Sequence, residues 1–493
     1  MPVRRAGGPS SRESRRGDAS LSRLRALRRL PTAGSATWPP RWLLVAAWCV
    51  IAAQITVAGF LLADDDRPAR PGREPGVGAV QGRSVAGLLE GSAPSGQRSD
   101  LSERAKAVRT LLKSRARAIL RRDREAFLAT VDPANAALRD RQAAYFHNLA
   151  HVPLASWSYG LDLGRDAPVP PGVAAAYGEE VWAPGIQLRY ALRGSDTTPT
   201  SQQQWHLFTR RDQRWYLADD GLSSGHLAEP GAGTVANLWD FGPVKAISTP
   251  SVLVLGHPGS ESLMRSVLAI AADAVPAVSA VWRDWSRQVV VLVPSDAGEL
   301  GQLIEDPGDL SRMAAFASAD VRRSGPPVGK RVLVNPAVFG ELSPYGRKVV
   351  LTHEITHVAT RHVTSAATPY WLAEGFADHV AHRSVGSAPR GAARELARGV
   401  RAGRLPDRLP TAGDFDSGNS RLAQAYQSSW LACRLIAERF GDATLTRLYE
   451  RLSRPAGDPD VALDLALRQE LDLGTADFVA LWRAYLDKEL GDK

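Results

Sequence analysis

Residues 353–357 read His353-Glu354-Ile355-Thr356-His357. The surrounding run, Arg347 to His362, carries Val349, Val350, Leu351, Ile355, Val358 and Ala359, an apolar content that predicts a helix. Positions i and i+4 of a helix share one face, a turn apart. Both imidazoles would then reach one metal ion at about 2.0–2.1 Å. Glu354 would project beside them, able to contact a water on the ion rather than the ion itself. The competing reading of the same residues is two partly exposed histidines on a helix, with no ion between them.

The spacing is the signature of zinc metallopeptidases. Downstream stands Pro369-Tyr370-Trp371-Leu372-Ala373-Glu374-Gly375-Phe376-Ala377-Asp378. Together the two segments resemble the gluzincin metallopeptidases of the peptidase MA clan. The resemblance implies a zinc site of His353, His357 and Glu374, with Glu374 on a second helix. Thr364–Pro369 would form the turn between the helices, with Pro369 near the start of the second. The resemblance also implies that Asp378, four residues after Glu374, holds a ligating imidazole by its other nitrogen. The bland alternative for Glu374 and Asp378 is an exposed helix face pairing with arginines. His379 and His382 are alternative ligands, disfavoured by the family spacing.

Three ligands without sulfur leave a position for water, the catalytic rather than the structural arrangement. Zinc can acidify that water and polarise a carbonyl, and Glu354 would take the water's proton as general base. The oxyanion then needs a second donor. Related peptidases use a Tyr or His on a following helix, and Tyr426 in Ala425-Tyr426-Gln427-Ser428-Ser429-Trp430 is the candidate. Tyr426, Trp430, Cys433 and Ala437 also follow helical spacing, so packing is the rival role for Tyr426. Aminopeptidases of the clan carry a Gly-x-Met-Glu-Asn type segment, which is missing from 241–345. Its lack favours endopeptidase over aminopeptidase action. A non-catalytic envelope ligand-binding protein with a structural or vestigial zinc site is the alternative function. The intact Glu354 counts against it.

The elements that would position these residues suggest an α+β, multidomain chain. The resemblance to the peptidase covers roughly 241–493, a mainly helical zincin-like domain with a small N-terminal sheet. Short Val-rich runs, Ser251–Leu255 and Gln288–Val293, predict buried strands there, with Arg331–Val334 another. A helix ending at Gly441 fits a glycine cap. Cys433 reads as a small buried hydrophobe. In 101–240, Val108, Leu111, Leu112, Ile119 and Leu120 lie at helical spacing, and a short helix runs from Asp123 through Leu128. Trp157, Tyr159, Leu161 and Leu163 then alternate as a half-buried strand should. Ile186–Leu192, Trp205–Arg210 and Trp215–Ala218 are further strand candidates. Asp123-Arg124-Glu125-Ala126-Phe127, followed by these strands, resembles the NTF2-like fold, which implies a ligand- or protein-binding module or a spacer.

The formal net charge of +9 sits almost wholly in one tail. Residues 1–41 hold ten Arg against Glu13 and Asp18, and the rest carries 51 basic and 50 acidic residues. A basic folded surface for nucleic acid is therefore not expected. Trp42 to Ala63 is 22 residues without a charge. As a helix it reaches roughly 33 Å, enough for a hydrocarbon core of about 30 Å, and is too long for a cleaved signal's apolar region. Arginines precede it and Asp64, Asp65 and Asp66 follow it, which predicts a single-pass anchor in the cell membrane. The N-terminus would then be cytoplasmic and 64–493 extracytoplasmic. Residues 64–100, rich in Gly, Pro and Ser, read as a flexible linker. The expected partners are a peptide or protein substrate and the membrane. The sequence does not fix the oligomeric state.

Overall fold

The computed structural model describes residues 95–178, 180–221, 235–304, 310, 313–320, 327–416, 418–454 and 457–491. The basic tail, the expected transmembrane helix at 42–63 and most of the expected linker lie outside these residues.

Three helices open the described chain: α1 (Ser95–Arg121), α2 (Arg124–Leu128) and α3 (Ala136–Asn148). Helix α1 begins inside the segment whose composition reads as linker. Asp123 caps α2 by accepting the Ala126 N–H at 2.9 Å, and Asn135 caps α3 through the Leu138 N–H at 3.0 Å. There follow β1 (Leu154–Asp166), α4 (Pro171–Tyr177), β2 (Val181–Trp182), β3 (Pro184–Leu192), β4 (Thr200–Trp205), β5 (Leu207–Arg211) and β6 (Arg214–Asp219). They form two antiparallel sheets, ordered β1-β3-β4 and β2-β5-β6. Two strand expectations are corrected. The run Trp205–Arg210 is not one strand: it breaks at His206, where the chain leaves one sheet for the other. Along β1, Trp157 is buried but Leu163 is exposed, because the pairing with β3 slips between Asp162 and Asp166.

The chain continues through α5 (Leu238–Phe241), β7 (Lys245–Ser248), β8 (Val252–Gly256), α6 (Glu261–Val281), β9 (Val289–Val293), α7 (Ala297–Gln302), β10 (Ala315–Asp320), β11 (Val328–Val334) and α8 (Pro336–Glu341). One sheet results, ordered β10-β11-β9-β8-β7. Its three central strands are parallel, and β7 and β10 are antiparallel edges. On one face Val252, Val254, Val289, Val291, Val332 and Val334 share one core with α6 and with the helix that follows at Pro344–Thr360. On the other, Leu253, Leu255, Val290 and Leu333 share a core with Trp157, Leu188, Tyr190 and Leu192 of the preceding part. Strands β8 and β9, covered on both faces, are apolar at every position, which is why they read as continuous Val/Leu runs. By length and composition α6 could cross a membrane, but its face of Met264, Val267, Ala271, Ala274 and Val278 belongs to this core.

Eight α-helices and one 3-10 turn (Ala412–Phe415) complete the described chain, the α-helices being α9 (Pro344–Thr360), α10 (Tyr370–Ser384), α11 (Pro389–Ala392), α12 (Arg394–Arg401), α13 (Leu422–Phe440), α14 (Asp442–Leu452), α15 (Pro459–Leu471) and α16 (Thr475–Leu490). Large aromatic side chains fill the space between them, with the Trp282 ring 5.6 Å from Phe376 and 5.4 Å from Tyr449. Gly441, at φ 89°, ends α13, and Cys433 is wholly buried.

A two-pronged ion pair fastens the first part to the sheet. Arg331 on β11 donates to both carboxylate oxygens of Asp196, at 2.8 and 2.6 Å, and both side chains are buried. Asp196 also accepts the Leu192 N–H at 2.8 Å. Removing one partner strands the other charge away from water. Asp196→Ala is expected to destabilise the protein by about 3–5 kcal/mol, read as a fall in thermal midpoint. An unchanged midpoint would refute this account of the interface.

Candidate metal centre

Helix α9 starts where Ser343 accepts the Gly346 N–H at 3.1 Å and Pro344 supplies the first helical position. Every residue from Val349 through Thr360 is buried, since α9 lies among the sheet, α6 and α10. Polar side chains on such a helix have no water to turn to. His353, Glu354 and His357 are therefore held inside the protein.

The second helix, α10, begins directly after Pro369 and carries Glu374 and Asp378 on one face. The facing nitrogens, His353 Nε2 and His357 Nε2, are 3.0 Å apart. Glu374 Oε2 stands 3.3 Å from the first and 3.5 Å from the second. Ligands at about 2.0–2.1 Å from a tetrahedral zinc lie roughly 3.3–3.4 Å from each other. The triangle therefore has the size that one such ion requires. Glu374 Oε2 is also buried with no hydrogen-bond partner. A lone carboxylate oxygen in that setting calls for a cation. On the far side of the ring, His353 Nδ1 lies 2.8 Å from Asp378 Oδ1, which fixes its orientation and leaves Nε2 for the ion.

Glu354 sits against the edge of the sheet. Its Oε2 accepts the Ala317 N–H of β10 at 2.8 Å, while Oε1 is buried without a hydrogen-bond partner. The two glutamates are tuned apart. Burial pushes Glu354 up to about 8, against the pull of His353. Burial acts to raise Glu374 too, but His357 and His353 outweigh it and hold that carboxyl at about 2. For His353, burial favours the neutral ring, and Asp378 overrides it and lifts the pKa well above the usual value. A divalent ion is the largest local charge in such a site and favours the ionised form of both carboxylates.

Tyr426 on α13 is buried with its ring 5.0 Å from Phe415. Burial, then the charges of Glu374, Asp378 and Glu354, push its hydroxyl well above the ordinary range. His379 and His382 are not gathered in. His379 Nε2 lies 3.3 Å from Asp442, and His382 stacks on Trp430 with centroids 4.1 Å apart.

Two contributions escape the sequence. One is the Ala317 N–H, a backbone group that no side-chain pattern signals. The other is Gly375, where α10 meets α13. A Cβ there would stand 2.3 Å from the Ser429 carbonyl oxygen and 2.9 Å from Cys433 Sγ. The signal was the glycine itself, inside an otherwise good helix. Tyr370, one turn before Glu374, is a further neighbour: burial and then Glu374 raise its pKa.

No family model matches the chain, and no curated protein matches it. Among solved structures it is similar to a mutant M1 zinc metallopeptidase from Deinococcus radiodurans, at 13% identity and TM-score 0.31, over 62% of this chain and 90% of that one. It is also similar to native LTA4 hydrolase of yeast, at 8% identity and TM-score 0.33, over 69% of this chain and 61% of that one. Overlaps this loose leave the geometry of the site as the ground for a functional reading.

Gly375→Ala should force α10 away from α13 and shift Glu374 and Asp378 together. The expected result is a folded chain whose zinc affinity falls by about tenfold or more, measured by competition with a chelator. Wild-type affinity in that variant would show that the close approach is not needed.

Proposed function

We propose that the chain is a membrane-anchored zinc metallopeptidase that hydrolyses peptide bonds of extracytoplasmic polypeptides. The observation that carries the reading is the triangle of buried ligand atoms with an unpartnered Glu354 oxygen beside it. A structural zinc site has no use for that oxygen.

In this reading His353, His357 and Glu374 hold the zinc, and Asp378 keeps His353 aligned. A zinc ion so held supplies Lewis acidity to the substrate carbonyl and to water. Glu354 takes a proton from the attacking water on its unpartnered Oε1 while the Ala317 N–H steadies Oε2, and it then passes that proton to the amine nitrogen as the C–N bond breaks. Tyr426 donates to the oxygen on which negative charge develops. Strand β10 is an outer strand, and the Ala317 N–H points away from β11 toward the site. An extended polypeptide can pair along such an edge. Because β10 runs to either side of Ala317, it suits an internal stretch of chain, which supports endopeptidase action. The Trp42–Ala63 segment serves as the anchor, with the arginine-rich tail inside the cell.

Zinc analysis of the purified protein should find about one ion per chain, lost in Glu374→Ala. Glu354→Gln should keep the ion and abolish hydrolysis of a peptide library. Tyr426→Phe should keep the ion and lower kcat by about a hundredfold. A well-folded chain that takes up no zinc would sink the proposal, and full activity in Tyr426→Phe would remove that residue from it.

The topology has its own test. Protease added to intact cells should digest 64–493 and spare the N-terminal tail. Protection of the large part would place the active site in the cytoplasm instead.

A further inference from the structure

Residues 236–244 join the N-terminal part to the sheet and are held at three points. The Ala236 N–H donates to the Gln302 carbonyl at the end of α7 at 2.9 Å. The Val244 N–H donates to the Asn148 carbonyl at the end of α3 at 3.1 Å. Between them the Pro243 carbonyl meets the ring of His257, the residue after β8.

His257 is buried and spans two acceptors. Its Nδ1 lies 2.9 Å from the Pro243 carbonyl oxygen, and its Nε2 lies 2.7 Å from Glu299 Oε1 on α7. Glu299 is buried too, and its Oε2 accepts the Ser295 N–H at 2.8 Å. A carbonyl oxygen can only accept, so Nδ1 must carry a hydrogen. An ionised carboxylate can only accept as well, so Nε2 needs a hydrogen of its own. A neutral imidazole has a single N–H, and an imidazolium has both. The one other way to fill these contacts puts the second proton on Glu299, and imidazole is the stronger base. The geometry therefore calls for a charged ring. The bond to Glu299 raises the pKa of His257 against the pull of burial, and the Pro243 carbonyl adds to the rise.

The charged groups on the neighbouring elements are engaged elsewhere. Asp296 caps α7 through the Glu299 N–H at 2.9 Å. Glu261 at the start of α6 pairs with Lys245 of β7. Asp240 on α5 accepts the Asn237 N–H at 2.7 Å. Among the described residues, Glu299 supplies the charge that bears on the ring.

We propose that His257 is a proton-dependent latch, which ties residues 236–244 to α7 while the ring is charged and releases them when it is neutral. A neutral ring turns a bare nitrogen toward either the Glu299 carboxylate or the Pro243 carbonyl. Either way one buried hydrogen bond gives place to two facing acceptors. The folded state binds the proton more tightly than the unfolded chain does. The latch is therefore fully engaged below the ordinary imidazole range, about pH 6.5, and is lost as pH rises through the raised value. The joint it holds sets the N-terminal part against the sheet whose outer strand meets Glu354.

The test follows the full chain in detergent, with isotope-labelled histidines, across the range in which histidines titrate. The nitrogen resonances of His257 are assigned by their loss in His257→Gln. They should report two N–H groups at pH values where an ordinary histidine has already lost one. Amide deuterium exchange over 236–244, corrected for the intrinsic rate at each pH, should lose protection as the ring loses its proton. The loss should reach as much as about tenfold per pH unit above that transition. A carboxamide at 299 can donate to Nε2 and accept from the Ser295 N–H, so Glu299→Gln keeps each contact with a neutral ring. Protection over 236–244 should then hold steady with pH. The variant also isolates the latch from Asp240, a carboxyl that burial raises to about 7 and that the substitution leaves in place. Should Glu299→Gln fail to fold, the two measurements on the wild type decide. A His257 ring that loses its second N–H no later than an ordinary histidine overturns the proposal. Protection over 236–244 that ignores the loss of that proton overturns it equally, as does an unaltered pH dependence in folded Glu299→Gln. Each readout is independent of zinc and of peptide hydrolysis.

Discussion

Three ligand atoms, drawn from two helices, must stand close to 3 Å apart inside a protein with no water to soften the contact. Much else in this structure follows from that demand. A turn of helix sets the distance between His353 and His357, but only the packing of α10 on α9 sets Glu374 against them. That packing is held from behind by α13, whose backbone at Ser429 leaves no room for a side chain at 375. A small residue there is a condition of the metal geometry, although it touches no ligand.

The proposed base depends on a second layer. Glu354 reaches Ala317 on β10, and Ala317 stands opposite Val332 on β11. The residue before Val332 is Arg331, which grips Asp196 in the N-terminal part. On β11 the side chains alternate, with Val332 toward the helices and Arg331 and Leu333 toward that part. The N-terminal part is therefore one of two layers covering the sheet that steadies the proposed base. The shared cluster of Trp157, Leu188 and Leu253 makes the same point with apolar contacts.

How much of this could be read from the residues follows from what kind of group does the work. His353, Glu354 and His357 announce themselves by type and spacing, Glu374 and Asp378 through the resemblance to gluzincins, and the structure brings the five together. The doubly covered strands were legible as Val runs because burial on both faces leaves no polar position. Strand β10 was not, since Ala-Phe-Ala-Ser-Ala-Asp is short and made largely of small residues, and its contribution is a backbone N–H. Helix α3 hid because Arg139, Asp140 and Arg141 interrupt its apolar stripe.

Unsatisfied charge separates sites from scaffolding here. Among the described residues, the buried side-chain atoms without a hydrogen-bond partner include only three carboxylate oxygens: Glu354 Oε1, Glu374 Oε2 and Asp220 Oδ1. A carboxylate oxygen is the costliest group to leave bare, because its desolvation is not repaid by packing. Neutral orphans such as the Trp482 indole can be tolerated as local imperfections. Two of the three belong to the candidate metal centre, where the proposed function turns Glu374 toward a cation and Glu354 toward a proton.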